Sequence, residues 1–482
     1  MKIYSKILSL AACAALCMNI TSCSDKSEDE PTAKTEISSV SVAEGAEIDP
    51  ETKAITVTYT TDIILNHSAA ITLNGSSVSA TVKDGNTIDI AVSLRKSTEY
   101  ELAIPADAVF GRGTSSYAPA LNLKFKTSEG SEPVNPDPVT PDFLPLLNEK
   151  ATKEAQNVYK FFVEQHGKKI LSGAMANVNN NNDFAGWIKK VTGKDVAITG
   201  YDFIHLPESG QNWIDYSDIN PAKEQWAANG LVSYMWHWRV PTDKEAYDSK
   251  NYSRYDSSIK PANGGSGTNF DIREAVKEGT WQHECILADI DKVAGYLKLL
   301  QDAGIPVLWR PLHEAAGSYK YNGAWFWWGR YGDEPTKELW KLMYDRLVNH
   351  HGLNNLIWVW TAQCEEGYYD RMAASYPGND WCDVVGVDIY ADNDSSQKAA
   401  YTALVNMTGG KRLVTLSETG RIQNPDKCFA DGAHWSWFNL WYTYDQHKGN
   451  ATTDGFGNTV ESLKAVLESS YVINRGDMPS LK

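Results

Sequence analysis

Two different spacings of apolar side chains divide this chain. Between residues 35 and 127 apolar and polar positions alternate in short runs, among them 54–59, 70–73, 78–82 and 87–92. A period of two turns one side of a strand to a core and the other to water. Asn74-Gly75 and Asp84-Gly85 fall between such runs, and these pairs favour tight hairpin turns because both positions accept a positive φ. Several short strands at this spacing predict a small all-β sandwich. Residues 128–142 carry Pro133, Pro136, Pro138 and Pro141 among Gly, Ser, Asp and Glu, which predicts a stiff, extended linker. From 143 to 482 strand-like apolar runs at 169–173, 196–200, 231–235, 306–309, 356–360, 384–388, 413–416 and 437–441 alternate with helix-like stretches such as 286–302 and 336–350. Eight such strands with helices between them predict an α/β fold, a (β/α)8 barrel. All 17 tryptophans lie in this second region, which sharpens the division into two domains. The region exceeds the ~250 residues usual for such a barrel. The surplus falls to loops, above all to 239–279, rich in Asp, Tyr, Ser, Asn and Gly.

The N-terminus adds a separate signal. Lys2 and Lys6 precede an apolar stretch, 7–18, that is too short to span a bilayer and reads as a secretory signal over residues 1–22. Ile20-Thr21-Ser22-Cys23 resembles the lipobox of bacterial lipoproteins, which implies cleavage before Cys23 and its acylation. The acidic run that follows, inside a tether of residues 23–34, resembles the export tag that carries some lipoproteins to the outer surface of the outer membrane. The alternative is a periplasmic protein in which Cys23 is incidental. The 35–127 sandwich resembles the Ig-like modules that precede catalytic domains in secreted bacterial enzymes. It has no cluster of aromatic residues, so a spacer is the better reading than a sugar-binding module.

Charge and cysteines narrow the partners. A net charge of -16 argues against nucleic acid and against anionic membrane surfaces, and leaves a soluble body that meets neutral or cationic ligands. Seven cysteines become five once the signal is removed. With Cys23 lipidated, Cys285, Cys364, Cys382 and Cys428 remain. No CxxC or Cys/His spacing points to zinc. The compartment permits disulfides, although sequence assigns no pairs, and buried free thiols fit as well.

Chemistry enters at two strand ends. Arg310-Pro311-Leu312-His313-Glu314 follows the fourth apolar run and Leu416-Ser417-Glu418-Thr419-Gly420 closes the seventh. Each places a glutamate where a strand gives way to a turn, the face of a (β/α)8 barrel where reactions occur. Strands four and seven stand across the mouth from one another, so Glu314 and Glu418 can converge on a bound sugar. Paired carboxylates are what glycosidic cleavage requires; ~5–5.5 Å between them means retention of configuration and ~6.5–9.5 Å inversion. Most of the 61 acidic residues belong to solvated surface, and Asp202, Glu208, Glu365 and Glu366 also lie near strand ends. Spacing alone leaves the choice of pair open. His313 and Glu314 would point to opposite faces of a regular strand, so the backbone must bend if both reach the site.

Here a resemblance becomes specific. Trp309-Arg310-Pro311-Leu312-His313-Glu314, followed by Trp325-Phe326-Trp327-Trp328-Gly329, resembles the signature of glycoside hydrolase family 26, a family of clan A barrels that are mostly β-mannanases. Leu416–Gly420 resembles its nucleophile strand, Gly386-Val387-Asp388-Ile389-Tyr390 its sixth strand, and Met235-Trp236-His237-Trp238 its third. The resemblance covers about residues 145–480. It implies a retaining mechanism with Glu314 as general acid/base and Glu418 as nucleophile, acting on β-1,4-linked mannan, galactomannan or glucomannan, with an endo mode and no metal or other cofactor. Tyr390 would donate to the nucleophile. Burial among Trp325, Trp327 and Trp328 would keep Glu314 protonated. His237 and His313 would serve the sugar site, the alternative for His313 being a buried residue that orients strand four. Tryptophan faces stack on pyranose rings, and Trp325 and Trp441 are placed there; Trp358 and Trp360 read as core. Arg310 lies near the nucleophile or forms a salt bridge within the barrel. The stretch 315–324 is longer than usual in the family, and its Tyr319 and Tyr321 suggest a flap that bears on endo against exo action. Trp441 is followed by Tyr442 where the family often has Arg, so that contact is not carried over. A monomer is expected. The competing functions are the same chemistry on mixed-linkage β-glucan or xylan, exo release of mannobiose, and a glycan-binding surface lipoprotein with an inert barrel.

Overall fold

A computed structural model of the protein describes residues 34–128 and 142–482, apart from 51, 67–68, 93, 96, 113–115, 212, 261–265, 318–322, 365–368 and 443–450. The signal segment, Cys23, most of the linker, Tyr319, Tyr321, Glu365 and Glu366 lie outside the described residues. The chain forms two units, Met1–Pro138 and Val139–Lys482. Among the described residues no helix is long and apolar enough to cross a membrane.

The first unit is built from two main sheets. One orders Ile37–Val40, Ala54–Tyr59, Thr87–Ala91 and Ala80–Lys83; the other orders Glu47–Ile48, Leu121–Thr127, Glu99–Ile104, Thr72–Leu73 and Ser76–Ser77. Alternation does the work expected of it. Ile55, Val57, Ile88 and Ile90 from one sheet meet Leu102, Ile104, Leu123 and Phe125 from the other in one core. Asn74 and Gly75 both take positive φ, 48° and 76°, and close the pairing of Leu73 with Ser76. The run expected as a strand at 78–82 becomes strand only from Ala80, in Ala80–Lys83, while Ser76–Ser77 just before it belongs to the other sheet. Val78 and Ser79 carry the chain across.

The second unit is a closed barrel of eight parallel strands. They are β1 Gly173–Met175, β2 Ile198–Asp202, β3 Leu231–Met235, β4 Val307–Arg310, β5 Leu356–Gln363, β6 Val384–Ile389, β7 Leu413–Thr419 and β8 Phe438–Leu440. Closure is made by Ala174 of β1 against Leu440 of β8. Every strand expected from an apolar run is present, with two instructive differences. The run at 169–173 splits at Ser172: Ile170–Leu171 pairs outside the barrel with Val472–Ile473, and only the rest enters the barrel. The 22-residue helix Trp281–Asp302 begins five residues before its apolar run does. Thr280 caps it there by accepting a hydrogen bond from the His283 amide at 3.1 Å, which satisfies an otherwise unpaired donor.

The barrel strands are buried on both faces. Trp358 and Trp360 are core, as expected, with Trp358 packed on Trp340 and Tyr344 from the helix Asp333–Tyr344. The interior is partly polar: Thr361 donates to Ser417 across it at 2.9 Å. Gly386 of β6 faces Ser417, and a Cβ there would stand 2.0 Å from Ser417 Oγ, so a side chain at this position would displace Ser417 from Thr361. The surplus chain lies after β3, where 236–280 builds a small ladder of Val240–Pro241 with Tyr255–Asp256 and two short helices.

Candidate active site

The site is assembled at the carboxyl ends of the strands. Beyond Arg310, the last residue of β4, Leu312 and Glu314 both adopt left-handed backbone, with φ of 51° and 53°. Such conformations cost about 1 kcal/mol or more each outside glycine and persist where surrounding contacts enforce them. Here the Glu314 amide donates to Thr361 O at 3.1 Å and the Trp328 indole donates to His313 O at 2.9 Å. Glu314 therefore does not end β4; it stands on a bent turn four residues beyond. That bend settles how His313 and Glu314 share a locality that a regular strand would deny them.

Glu418 also differs from its expected place. It lies within β7, next to its last residue, at a bulge where Leu416 pairs with Val387 and Glu418 with Asp388, so Ser417 has no partner in the ladder. The bulge re-aims the strand end, as bulges near active sites do. Ser417 turns to Thr361, and the Glu418 carboxylate joins the cluster at the mouth.

There, oxygens of Glu314, Glu418 and Asp388 lie within 4.8 Å of one another. Arg310 is buried beneath them. Its Nη1 donates to Asp388 at 3.0 Å, and its Nη2 donates to Glu418. Burial works against the guanidinium charge, but Asp388 and Glu418 hold its pKa above the ordinary value. Both expectations for Arg310 are thus met by one residue, beside Glu418 and in a salt bridge. Among the described residues this carboxylate group is the one cluster with donor atoms close enough to share an ion, and its positive charge comes from Arg310. The second oxygen of Glu418 accepts from the Tyr390 hydroxyl at 2.6 Å. Tyr390 leaves 47% of itself open while its hydroxyl reaches the floor; its ring leans on Phe456, 5.8 Å away.

Glu314 has a different environment. Burial first, and the charge of Glu418 second, push its pKa from 4.5 to about 7, while the Trp325 indole, donating to it at 2.8 Å, pulls the other way. Burial raises the Glu314 pKa as expected, but the tryptophan N–H groups add nothing to that shift. Trp325 favours the ionised form, and the buried Trp327 and Trp328 spend their N–H groups on Trp238 O and His313 O. They build the wall without touching the carboxyl through those donors.

His237 follows β3 and is clamped by Asp202 at the end of β2. Its amide donates to Asp202 at 3.0 Å and its Nδ1 lies 2.6 Å from the other oxygen. Burial opposes a charge on His237, yet Asp202 outweighs it and leaves the pKa raised. His313 is pushed the opposite way by burial and by His237, so its ring is neutral. The two Nε2 atoms stand 3.3 Å apart. His313 is 1% exposed and meets His237 rather than the open cleft, packed by Phe326 and Trp328. Trp325 and Trp441 border the cleft, the first 36% exposed, the second with its ring 5.9 Å from that of His237. Tyr442 is buried.

The other candidates are occupied elsewhere. Glu208 pairs with Arg239 at 2.6 Å and Asp202 with His237. Cys285, Cys364, Cys382 and Cys428 are free thiols. Asp388, the partner of Arg310, was not singled out from the sequence, although an aspartate inside an apolar strand, 1% exposed, is a signal in itself because buried charges are rare unless paired.

A closed parallel barrel with two carboxylates of unlike environment at its mouth is the arrangement that glycosidic cleavage uses. The comparisons with known proteins agree. Residues 147–477 match the family described as glycosyl hydrolase family 26, and the chain belongs to that family. It is similar to a mannan endo-1,4-beta-mannosidase of Thermothelomyces thermophilus, 34% identical over 330 residues, covering 68% of this chain and 62% of that one. It is also similar to mannan endo-1,4-beta-mannosidase B of Piromyces sp, 35% identical over 343 residues, covering 70% and 54%. The chain thus spans about half to three-fifths of these relatives' length. Among solved structures, a beta-mannanase from a symbiotic protist of the termite Reticulitermes speratus, complexed with gluco-manno-oligosaccharide, is 34% identical with a TM-score of 0.59, covering 70% of this chain and 99% of that one.

Proposed function

We propose that this chain hydrolyses internal β-1,4-mannosidic bonds of mannan, galactomannan or glucomannan with retention of configuration, without a cofactor. The observation that carries the mechanism is the close approach of Glu314 and Glu418, with oxygens within 4.8 Å, on the short side of the two spacings. The names of the fungal relatives support the substrate. Glu418, held by Arg310 and Tyr390, attacks the anomeric carbon. Glu314 gives its proton to the departing oxygen, the glycosidic C–O bond breaks, and a glycosyl ester forms on Glu418. That ester removes the charge that helps hold the Glu314 pKa near 7. Glu314 becomes a stronger acid as its role changes to base, takes a proton from water, and the water oxygen replaces the ester oxygen at carbon. The cycle closes with Glu418 ionised and Glu314 protonated. His237 and His313 shape the sugar site, and Trp325 and Trp441 offer ring faces to it.

Reducing-sugar release on mannan, galactomannan, lichenan and xylan tests the substrate, and its pH profile tests the acid. Mannans are expected to be cleaved and the other two not. Below about pH 7 Glu314 holds its proton; above it kcat/KM is expected to fall about tenfold per unit as the acid ionises. Cleavage of lichenan or xylan alone would move the substrate. Binding without any release would make the protein a glycan-binding module, and a basic limb at ordinary carboxylate pH would remove Glu314 as the acid.

We also propose that Cys23 bears lipid and holds a monomeric protein at the outer membrane, exposed to the cell surface. The basic start, the apolar stretch and the acidic run after Cys23 support this. Cys23→Ala is expected to shift the protein from the membrane fraction to the soluble fraction and to remove the acyl mass; an unchanged mass would refute lipidation.

A further inference from the structure

Tyr390 serves the nucleophile from an exposed position. Its hydroxyl donates to Glu418 at 2.6 Å, yet 47% of the residue lies open. A tyrosine side chain has several staggered settings, and a ring at the rim of a cleft is not confined to one of them by a surrounding core. Only one setting puts the hydroxyl on the carboxylate. A neighbour of the ring must select it.

The loop after β8 supplies that neighbour. Between Thr452 and Val460 the chain folds back on itself: the Val460 amide donates to Thr452 O at 3.0 Å and the Asp454 amide to Asn458 O at 3.1 Å. Asp454, fully buried, accepts from the amides of Phe456 and Asn458 at 2.9 and 3.1 Å. Asn458, buried as completely, ties this turn to the exit of β7. Its side-chain amide donates to Gly420 O at 2.7 Å and to Asp454, and its oxygen accepts from the Ile422 amide at 2.9 Å. Arg421 adds a second tie by donating to Gly457 O at 2.7 Å. The turn is thus fastened to residues 420–422, just beyond the nucleophile. A fully satisfied buried polar network of this kind fixes one arrangement of the chain around it.

Phe456 stands at the tip of the turn, half-buried, with its ring 5.8 Å from that of Tyr390 and tilted by 46° to it. Gly420 is what lets the two rings meet. A Cβ at that position would stand 2.8 Å from the Phe456 ring and 3.1 Å from the Tyr390 ring, so both rings close over a bare backbone. We propose that Phe456 is a positioning residue for the reaction: seated by Asn458 on the strand that bears the nucleophile, it fixes the Tyr390 ring so that the hydroxyl meets Glu418. It acts through Tyr390 and not on the sugar. The inference rests on the β-mannan reading with Glu418 as nucleophile. It adds that the aim of the nucleophile is set from the loop after β8, through two rings and one glycine.

The test is a set of double-mutant cycles: kcat and KM on mannan for wild type, Phe456→Ala, Phe456→Leu and Gly420→Ala, each repeated in a Tyr390→Phe background. The turn is held by Asp454, Asn458 and Arg421 and not by the Phe456 ring, so the variants are expected to fold, and urea unfolding checks that they do. Removing one hydrogen bond to a charged group costs about ten- to a hundredfold, so Tyr390→Phe sets the largest loss that Phe456 can cause through it. Phe456→Ala is expected to lower kcat about tenfold with KM within about twofold, and Phe456→Leu less. Gly420→Ala, which forces the rings apart from the backbone side, should lower kcat as well. In the Tyr390→Phe background none of the three should lower kcat further. Losses that multiply in that background, a raised KM with kcat unchanged, or no loss at all would each overturn the inference and leave the β-mannan reading intact; the raised KM would put the ring on the sugar instead. A wild type inactive on mannan overturns that reading and the inference with it.

Discussion

Glu418→Ala is expected to lower turnover on mannan by about 10⁵-fold, the scale seen when a covalent nucleophile is removed, with the fold preserved. The structure gives reasons for both halves. The two donors that hold Glu418 keep other options: Arg310 retains Asp388 at 3.0 Å, and Tyr390 borders the open cleft. The barrel loses the buried Arg310–Glu418 pair, but the guanidinium stays compensated by Asp388. What disappears is the carboxylate assigned to nucleophilic attack, while Asp388, the other member of the cluster beside Glu314, stays paired with Arg310. Added azide should restore part of the activity toward an activated mannoside and give a glycosyl azide of inverted configuration, because the small anion enters where the carboxylate stood. Glu314→Ala should behave differently. Loss of general acid/base help costs about 10²–10⁴-fold on polysaccharide. It costs little in the first step for a substrate whose leaving group needs no proton, and azide should then give a product of retained configuration. Azide products of the reverse pattern would exchange the two roles, and full activity in either variant would place the chemistry elsewhere.

Strand ends made Glu314 and Glu418 candidates among several acidic residues, and the resemblance of the surrounding motifs, not spacing, singled out the pair. Apolar runs fix where a barrel strand stops to within a few residues, and a glutamate at such a point stands out against solvated surface. The finer geometry was less open to reading, for reasons specific to each residue. The left-handed turn at Leu312 and Glu314 has no glycine to announce it; it is enforced by hydrogen bonds to Thr361 O and from Trp328, both distant in the chain. The bulge at Ser417 depends on the register of β6 against β7, which no single strand encodes. The resemblance assigns His313 to the sugar site, with a buried residue orienting strand four as the alternative; its burial and its contact with His237 depend on side chains from other strands. Asp202 was weighed as a rival catalyst because it is an acidic residue at a strand end; only the third strand's His237, 2.6 Å away, reveals its task. In the first unit, alternation runs unbroken from Val78 to Val82, so the pattern could not show that Val78 and Ser79 lie outside the strand and carry the chain from one sheet to the other.

The second large effect concerns Arg310. One guanidinium, 4% exposed, neutralises two carboxylates that are themselves 1% and 4% exposed. Removing one member of a buried pair leaves an uncompensated charge and costs about 3–5 kcal/mol. Arg310→Met keeps most of the volume and deletes the charge, so it is expected to destabilise the barrel by about that amount in urea unfolding. Nucleophile placement suffers as well, and a misplacement of about 1 Å lowers turnover about 10²-fold. Two further measurements separate these consequences. Adding Asp388→Asn to Arg310→Met removes one orphaned charge, so part of the stability should return while activity stays low, since Glu418 still lacks its arginine donor. The pH dependence gives the sign independently. Burial pushes the Asp388 carboxyl upward, and the pull of Arg310 opposes it. Without Arg310 the folded protein takes up a proton at Asp388 more readily than the unfolded chain does. The stability loss should then be largest at neutral and higher pH and shrink as the pH falls toward the range where carboxyl groups are protonated. A loss that is constant with pH, or a single variant as stable as wild type, would mean that the cluster does not depend on this arginine for its charge balance, and the account of how Glu418 is held would have to rest on Tyr390 alone.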